Sequence, residues 1–288
     1  MKKLFTLILI SLFALGCQQS NKSGKPVISV SILPQKYFIE RIAGDHFEIH
    51  VITPPGSSPE TYEPVPQQMK TLSQSVLYFA NGYLMFEDYL VKKLGDELSA
   101  KMVDLSQGID LIASDIVEHG DHVHIHGVDP HYWLATNEVR IQAETILKTL
   151  SAYDPENAET YEANFSEFVK DIDALDTHIR ELLAGSKTKV FLIYHPAFGY
   201  LAREYGLEQV AIEMDGKEPT ASHIKSVVDL VTAEGINMVL IQSQFNMAAA
   251  EVVAKEIGGT VEILNPLPED WLENMYAIAH SFQKALNP

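Results

Sequence analysis

An α/β fold of two lobes, each a parallel sheet covered by helices and the two joined by one long rigid helix, is predicted by three observations. Strand-like and helix-like segments alternate along both halves of the chain, the pattern that parallel sheets produce. A single amphipathic helical stripe runs unbroken between the halves. The length, 288 residues, suits two domains of ordinary size, because domains cluster near about 100–150 residues.

The elements follow in chain order. Lys2 and Lys3 precede an apolar run over residues 4–16, long enough for a signal-peptide core and too short for a stable membrane span. Residues 1–16 are therefore expected to be a signal peptide. Cys17, the only cysteine, stands between Ala14-Leu15-Gly16 and Gln18-Gln19-Ser20. That junction resembles the lipobox of bacterial lipoproteins, so Cys17 is the expected lipidation site, with 17–25 as a tether. Gln18 leaves inner or outer membrane anchoring open. A lone cysteine excludes an internal disulfide and a cysteine-rich zinc module.

In the N-terminal lobe, residues 26–153, strands are expected at 27–33, 47–53, 76–80 and 101–105, with helices at 35–43, 66–72, 84–94 and 138–150. The C-terminal lobe, 186–288, repeats the theme with strands at 189–194, 209–213, 238–242 and 261–264. Its helices, 223–233 and 248–257, start behind Thr220 and Asn246, side chains suited to accept from free helix-end N–H groups. The linker helix is expected at 154–185. It opens on Asp154-Pro155-Glu156 and stops at Gly185. Within it Tyr161, Phe165, Phe168, Ile172, Leu175, Ile179 and Leu182 recur at spacings of 4, 3, 4, 3, 4 and 3. One face is thus apolar over about thirty residues, roughly 45 Å. A coiled coil shares this spacing, but the flanking α/β halves favour a single helix touching both lobes.

With 21 Lys+Arg against 39 Asp+Glu, the formal charge is -18, which argues against nucleic-acid binding and suits a monomer that attracts cations. Histidine is the informative residue. Five of the eleven lie within 119–131: His119, His122, His124, His126 and His131. The first four sit in a glycine-bounded tract expected to be an irregular, mobile metal-capture loop, since neutral imidazole binds Zn²⁺, Cu²⁺ and Ni²⁺. A His-x-His-x-Asp-His hydrolase site is excluded, because Val128 and Asp129 put the register one residue out. His131 follows Asp129-Pro130 where a loop enters apolar structure, and His195 ends the strand at 189–194. Ligands of parallel sheets bind beyond such strand ends. Glu60 lies in a loop stiffened by Pro54, Pro55, Pro59 and Pro64, a rigid support of the kind that preorganises a ligand.

Ser31-Ile32-Leu33-Pro34-Gln35-Lys36-Tyr37-Phe38, Ile42-Ala43-Gly44, Pro55-Gly56 with Tyr62-Glu63-Pro64, Asp129-Pro130-His131-Tyr132-Trp133-Leu134 and His195-Pro196-Ala197-Phe198-Gly199-Tyr200-Leu201 occur in unbroken order from about Pro26 onward. In these the chain resembles the zinc- and manganese-uptake substrate-binding lipoproteins of ABC transporters. The resemblance implies a metal in the cleft between lobes, delivered to a membrane permease with its ATPase, and no catalysis. Carried over by position, it implies metal ligands at Glu60, His131 and His195. Two positions depart from the family pattern: Glu60 stands where the motif usually has His, and Asn265 aligns with a position commonly acidic. Asn265, Gln244 or water would complete the set.

Two nitrogens and a carboxylate suit zinc. An anionic oxygen ligand moves the preference towards manganese or iron, while the affinity order still favours zinc over manganese. Two His and one Glu are also the ligands of some zinc hydrolases, but no His-Glu-x-x-His and no motif for a separate base is present. An envelope adhesin is the third reading, separated from the first by the absence of stoichiometric metal.

Overall fold

The structure is a computed structural model that describes residues 24–113, 116–119 and 122–125 as backbone, 127–213, and 219–288. The signal peptide, Cys17 and His126 lie outside the described residues.

The first four strands, β1 (Val27–Val30), β2 (Glu48–Val51), β3 (Leu77–Ala80) and β4 (Met102–Asp104), form a parallel sheet in the order β2-β1-β3-β4. Strands buried on both faces need continuous apolar runs, and β3, Leu-Tyr-Phe-Ala, is buried at every position. Between them lie α1 (Leu33–Ala43), α2 (Pro66–Gln74), α3 (Met85–Leu94) and the single turn α4 (Asp96–Ser99). The histidine tract departs from expectation. It is not irregular: β5 (Ile116–His119) and β6 (His122–Ile125) pair antiparallel, with His119 opposite His122 and Val117 opposite His124. The physical reason was present in the alternation of histidine with valine and isoleucine over 122–125, which is the two-residue period of a strand.

A 3₁₀ turn at Tyr132–Leu134 leads into α5 (Thr136–Tyr153), and a second at Pro155–Asn157 into α6 (Ala158–Leu183). On α6, Tyr161, Phe168, Ile172, Leu175 and Ile179 are fully or almost fully buried. Its last buried position is Leu183, with Leu182 only partly covered. The stripe is covered by α1, α5 and, from the second lobe, the helix Trp271–Ala285, which removes the coiled-coil reading.

The second sheet contains β7 (Val190–Ile193), β8 (Glu208–Ala211), β9 (Met238–Gln242) and β10 (Thr260–Leu264) in the order β10-β9-β7-β8. Counted within each lobe, both sheets read second-first-third-fourth, so the lobes repeat one topology. The helices are α7 (Gly199–Tyr205), α8 (Ala221–Ala233), α9 (Met247–Glu256) and α10 (Trp271–Ala285). Thr220 Oγ1 accepts from the His223 N–H and Asn246 Oδ1 from the Ala248 N–H, as their cap positions predict. No element was expected at α7 or α10.

One apolar core runs through both lobes and the long helix. At its centre Phe38 of α1, Phe168 of α6 and Trp271 of α10 meet with ring centroids 5.3–6.4 Å apart. Two indole bonds tie the lobes together: Trp271 Nε1 donates to the Trp133 carbonyl and Trp133 Nε1 to the Pro266 carbonyl, each at 2.7 Å. Among the described residues no helix is long and apolar enough to cross a membrane.

Candidate metal centre

Three loops at the carboxyl ends of strands converge between the lobes. The first follows β2 and carries Glu60. Its span is fixed from within: Gln68 of α2 donates through Nε2 to the Ile52 carbonyl and accepts through Oε1 from the Tyr62 hydroxyl and the Val65 N–H. One side chain thus holds both ends of the proline-rich loop. The second loop carries His131, whose backbone N–H and ring Nδ1 both donate to Asp129 Oδ1, at 2.9 and 2.8 Å. The third follows β7 and carries His195, whose Nδ1 donates to Glu213 Oε2 at 2.8 Å.

These bonds decide the tautomers. An ionised carboxylate only accepts, so each ring's proton sits on Nδ1 and its Nε2 is turned to the cleft. Carboxylate-held imidazoles of this kind are the usual supports of a bound metal. The two Nε2 atoms flank Glu60: His131 Nε2 is 3.6 Å from Oε1 and His195 Nε2 3.2 Å from Oε2. The three side chains offer ligand atoms all within 4.8 Å of one another, the one such group among the described residues. The two imidazoles are 5.2 Å apart between centroids, at 72°.

Both histidines are buried, 6% and 7% exposed, and Glu60 is more open. His195 Nε2 is buried without an aligned hydrogen-bond partner among the described residues. Burial by itself lowers the His195 pKa, but the Glu213 and Glu60 carboxylates outweigh it and raise the value to about 9. Burial raises that of Glu60, and the neighbouring His195 and His131 reverse this to leave it lowered. Both shifts favour a protonated His195 beside an ionised Glu60 near neutral pH. The cavity is about 20 Å³ and is bounded by Trp133, Gln242, Gln244, Phe245 and Pro266 besides the three. That is room for an ion or one water molecule.

All three residues expected as ligands thus come together. Of the two candidates for a fourth position, Gln244 borders the cavity and its Oε1 is buried without a partner among the described residues. Asn265 is not on the lining, and its Oδ1 accepts from the Leu267 N–H at 3.1 Å. The carboxylates Asp129 and Glu213 were not singled out from sequence. A signal existed for each: Asp129 stands two residues before His131, and Glu213 lies level with His195 by the register of β7 and β8, in which Ile193 pairs with Ala211.

The model of the ZnuA family, zinc-uptake complex component A, periplasmic, matches residues 28–285. The chain belongs to this family. The resemblance read from the sequence motifs is borne out. The chain is 30% identical over 279 residues to the zinc-binding lipoprotein AdcA of Streptococcus pneumoniae, covering 93% of this chain and 56% of that protein. It therefore spans little more than half of that relative's length. It is 29% identical to the manganese-binding lipoprotein MntA of Halalkalibacterium halodurans, with 88% of this chain and 85% of that one covered. A zinc-bound crystal structure of a ZnuA lacking residues 138–173 of its own sequence superposes with a TM-score of 0.83 at 36% identity, covering 92% of this chain and 99% of that chain. The two-lobe ZnuA-family fold with its long helix is the architecture predicted from the sequence.

Asp129 rests against the opposite lobe. A Cβ added to Gly199, at the start of α7, would lie 2.7 Å from Asp129 Oδ2, and the Tyr200 hydroxyl donates to the Asp129 carbonyl at 2.8 Å. Gly199→Ala is expected to push the carboxylate off His131 and weaken zinc binding about 10–100-fold, the usual cost of losing an orienting partner. In an Asp129→Ala background the same change should cost little more. Chelator competition checks both, and unchanged affinity in Gly199→Ala would count against this role for Asp129.

Proposed function

We propose that the chain is the extracytoplasmic, high-affinity zinc-binding component of an ABC metal-uptake transporter. It captures Zn²⁺ on Glu60, His131 and His195 and hands it to a membrane permease powered by an ATPase. The observation that carries this reading is the convergence of the buried His131 and His195 Nε2 atoms on the Glu60 carboxylate, all three ligand atoms within 4.8 Å of one another. Two imidazole nitrogens and a carboxylate form a three-protein-ligand zinc set, with Gln244 Oε1 or water in the fourth position. Residues 26–153 and 186–288 serve as the lobes and 154–185 as the connecting helix. A lipid on Cys17 would anchor a monomer to the envelope, and His119, His122, His124 and His126 would act as an auxiliary capture segment.

Capture without chemistry fits the cavity, which has no space for an organic substrate beside the ion; small-molecule sites run to roughly 300–1,000 Å³. The cross-lobe indole bonds and shared core support a small opening rather than wide domain closure on release. Manganese is the second reading, favoured by the anionic oxygen of Glu60 and by the likeness to MntA. Zn/Mn competition by calorimetry on protein stripped with chelator separates them. One tightly bound zinc is expected per chain, with Mn²⁺ failing to displace it at comparable concentration. Displacement by Mn²⁺ would transfer the assignment to manganese, and absence of stoichiometric binding would reopen the adhesin reading.

A further inference from the structure

We propose that His178 and His280 form a second, weaker site for a divalent ion of the zinc, copper or nickel class, clamping the long helix to the second lobe. His178 lies on α6 and His280 on α10, two helices packed along the same seam. Their rings are 5.5 Å apart between centroids and inclined by 72°. The His131–His195 pair has 5.2 Å and 72°. The two pairs share a further mark. His178 Nε2, like His195 Nε2, is buried with no hydrogen-bond partner among the described residues. A buried polar atom left unpaired is costly and calls for an explanation, and an ion held between the two imidazoles supplies one.

The surroundings fit a weak site rather than a tight one. Tyr276 covers one side of His178, ring centroids 5.0 Å apart, while His280 is exposed, so ions reach the pair from solvent. Lys284, one turn beyond His280, is held by Glu262 at 3.0 Å, which offsets its charge. Two protein ligands leave the remaining coordination positions to water, and imidazole selects zinc, copper and nickel over magnesium and calcium. Occupancy would therefore follow only after the centre between the lobes is filled. An ion there joins α6 to α10 and favours the folded chain by mass action.

The test is carbethoxylation of histidines by diethyl pyrocarbonate on the full-length chain already carrying one zinc, read peptide by peptide. Reading His280 locally keeps binding at the hairpin histidines out of the signal. Added Zn²⁺ is expected to slow modification of His280 several-fold in the native chain and to have no effect on it in His178→Gln. In His280→Gln, a change at an exposed position, the rise in melting temperature on adding zinc beyond one equivalent should shrink. Equal modification of His280 with and without added zinc, or protection that survives in His178→Gln, overturns the site.

Discussion

Replacing His195 by alanine is expected to abolish tight zinc binding while leaving the fold intact. The side chain supplies one of only two imidazole nitrogens at the centre, and its Nδ1 bond to Glu213 presets the other nitrogen for the ion. Loss of the ligand should exceed the about 10–100-fold that loss of an orienting carboxylate costs. The backbone around it has independent support. Gln242 brackets residue 195, donating through Nε2 to its carbonyl at 2.6 Å, and Ala197 N–H bonds the same carbonyl at 2.8 Å. His131→Ala should behave alike, whereas deleting residues 119–126 should leave the tight site largely unchanged. Retention of native-strength zinc binding by His195→Ala in calorimetry would remove the basis of the assignment.

Zinc affinity is expected to fall about 10-fold for each pH unit below about 9, close to 100-fold between pH 8 and 6, because one pKa unit is about 1.4 kcal/mol. The cause is the His195 proton, which occupies the ion's place and must leave before Nε2 can coordinate. The direction follows from the raised value: below it the metal-free form is the protonated one, so acid competes with zinc. For the metal-free protein the same shift acts oppositely on stability. His195 contributes stability fully present below about 6.5, its ordinary value, and lost as pH rises through about 9. Calorimetry in two buffers of different ionisation enthalpy should report about one proton released per zinc at pH 7. Affinity independent of pH, with no proton released, would show that His195 is not displaced from a protonated state.

Much of this architecture is legible in the residues because it rests on periodicity. The seven-position stripe of α6 and the apolar runs of β3 and β7 need no knowledge of their partners. α10 carries the same period, with buried Trp271, Met275, Ile278, Phe282 and Ala285 at spacings of 4, 3, 4 and 3, so its helix was readable although no helix was expected there. Its role emerges only in space, where the Trp271 indole reaches the Trp133 carbonyl. That Glu60, His131 and His195 belong together was readable from their motifs, with Glu60 and His195 each placed after a strand and His131 where a loop enters apolar structure. What no local pattern conveys is how they are aimed. Asp129 and Glu213 act through rings that reach the cavity, Gly199 acts by lacking a side chain, and Gln68 fixes Glu60 from a neighbouring helix. The His178–His280 pair is invisible in sequence for the same reason, since its two halves lie on helices far apart along the chain.

One ion is expected to be held jointly by Glu60, His131 and His195. A crystal structure of the zinc-loaded chain with anomalous data at the zinc edge tests it most directly. The strongest peak is expected between the lobes, about 2.0–2.2 Å from His131 Nε2, His195 Nε2 and a Glu60 carboxylate oxygen. A strongest peak elsewhere, or one between the lobes that leaves Glu60 or either histidine uncoordinated, would contradict the account.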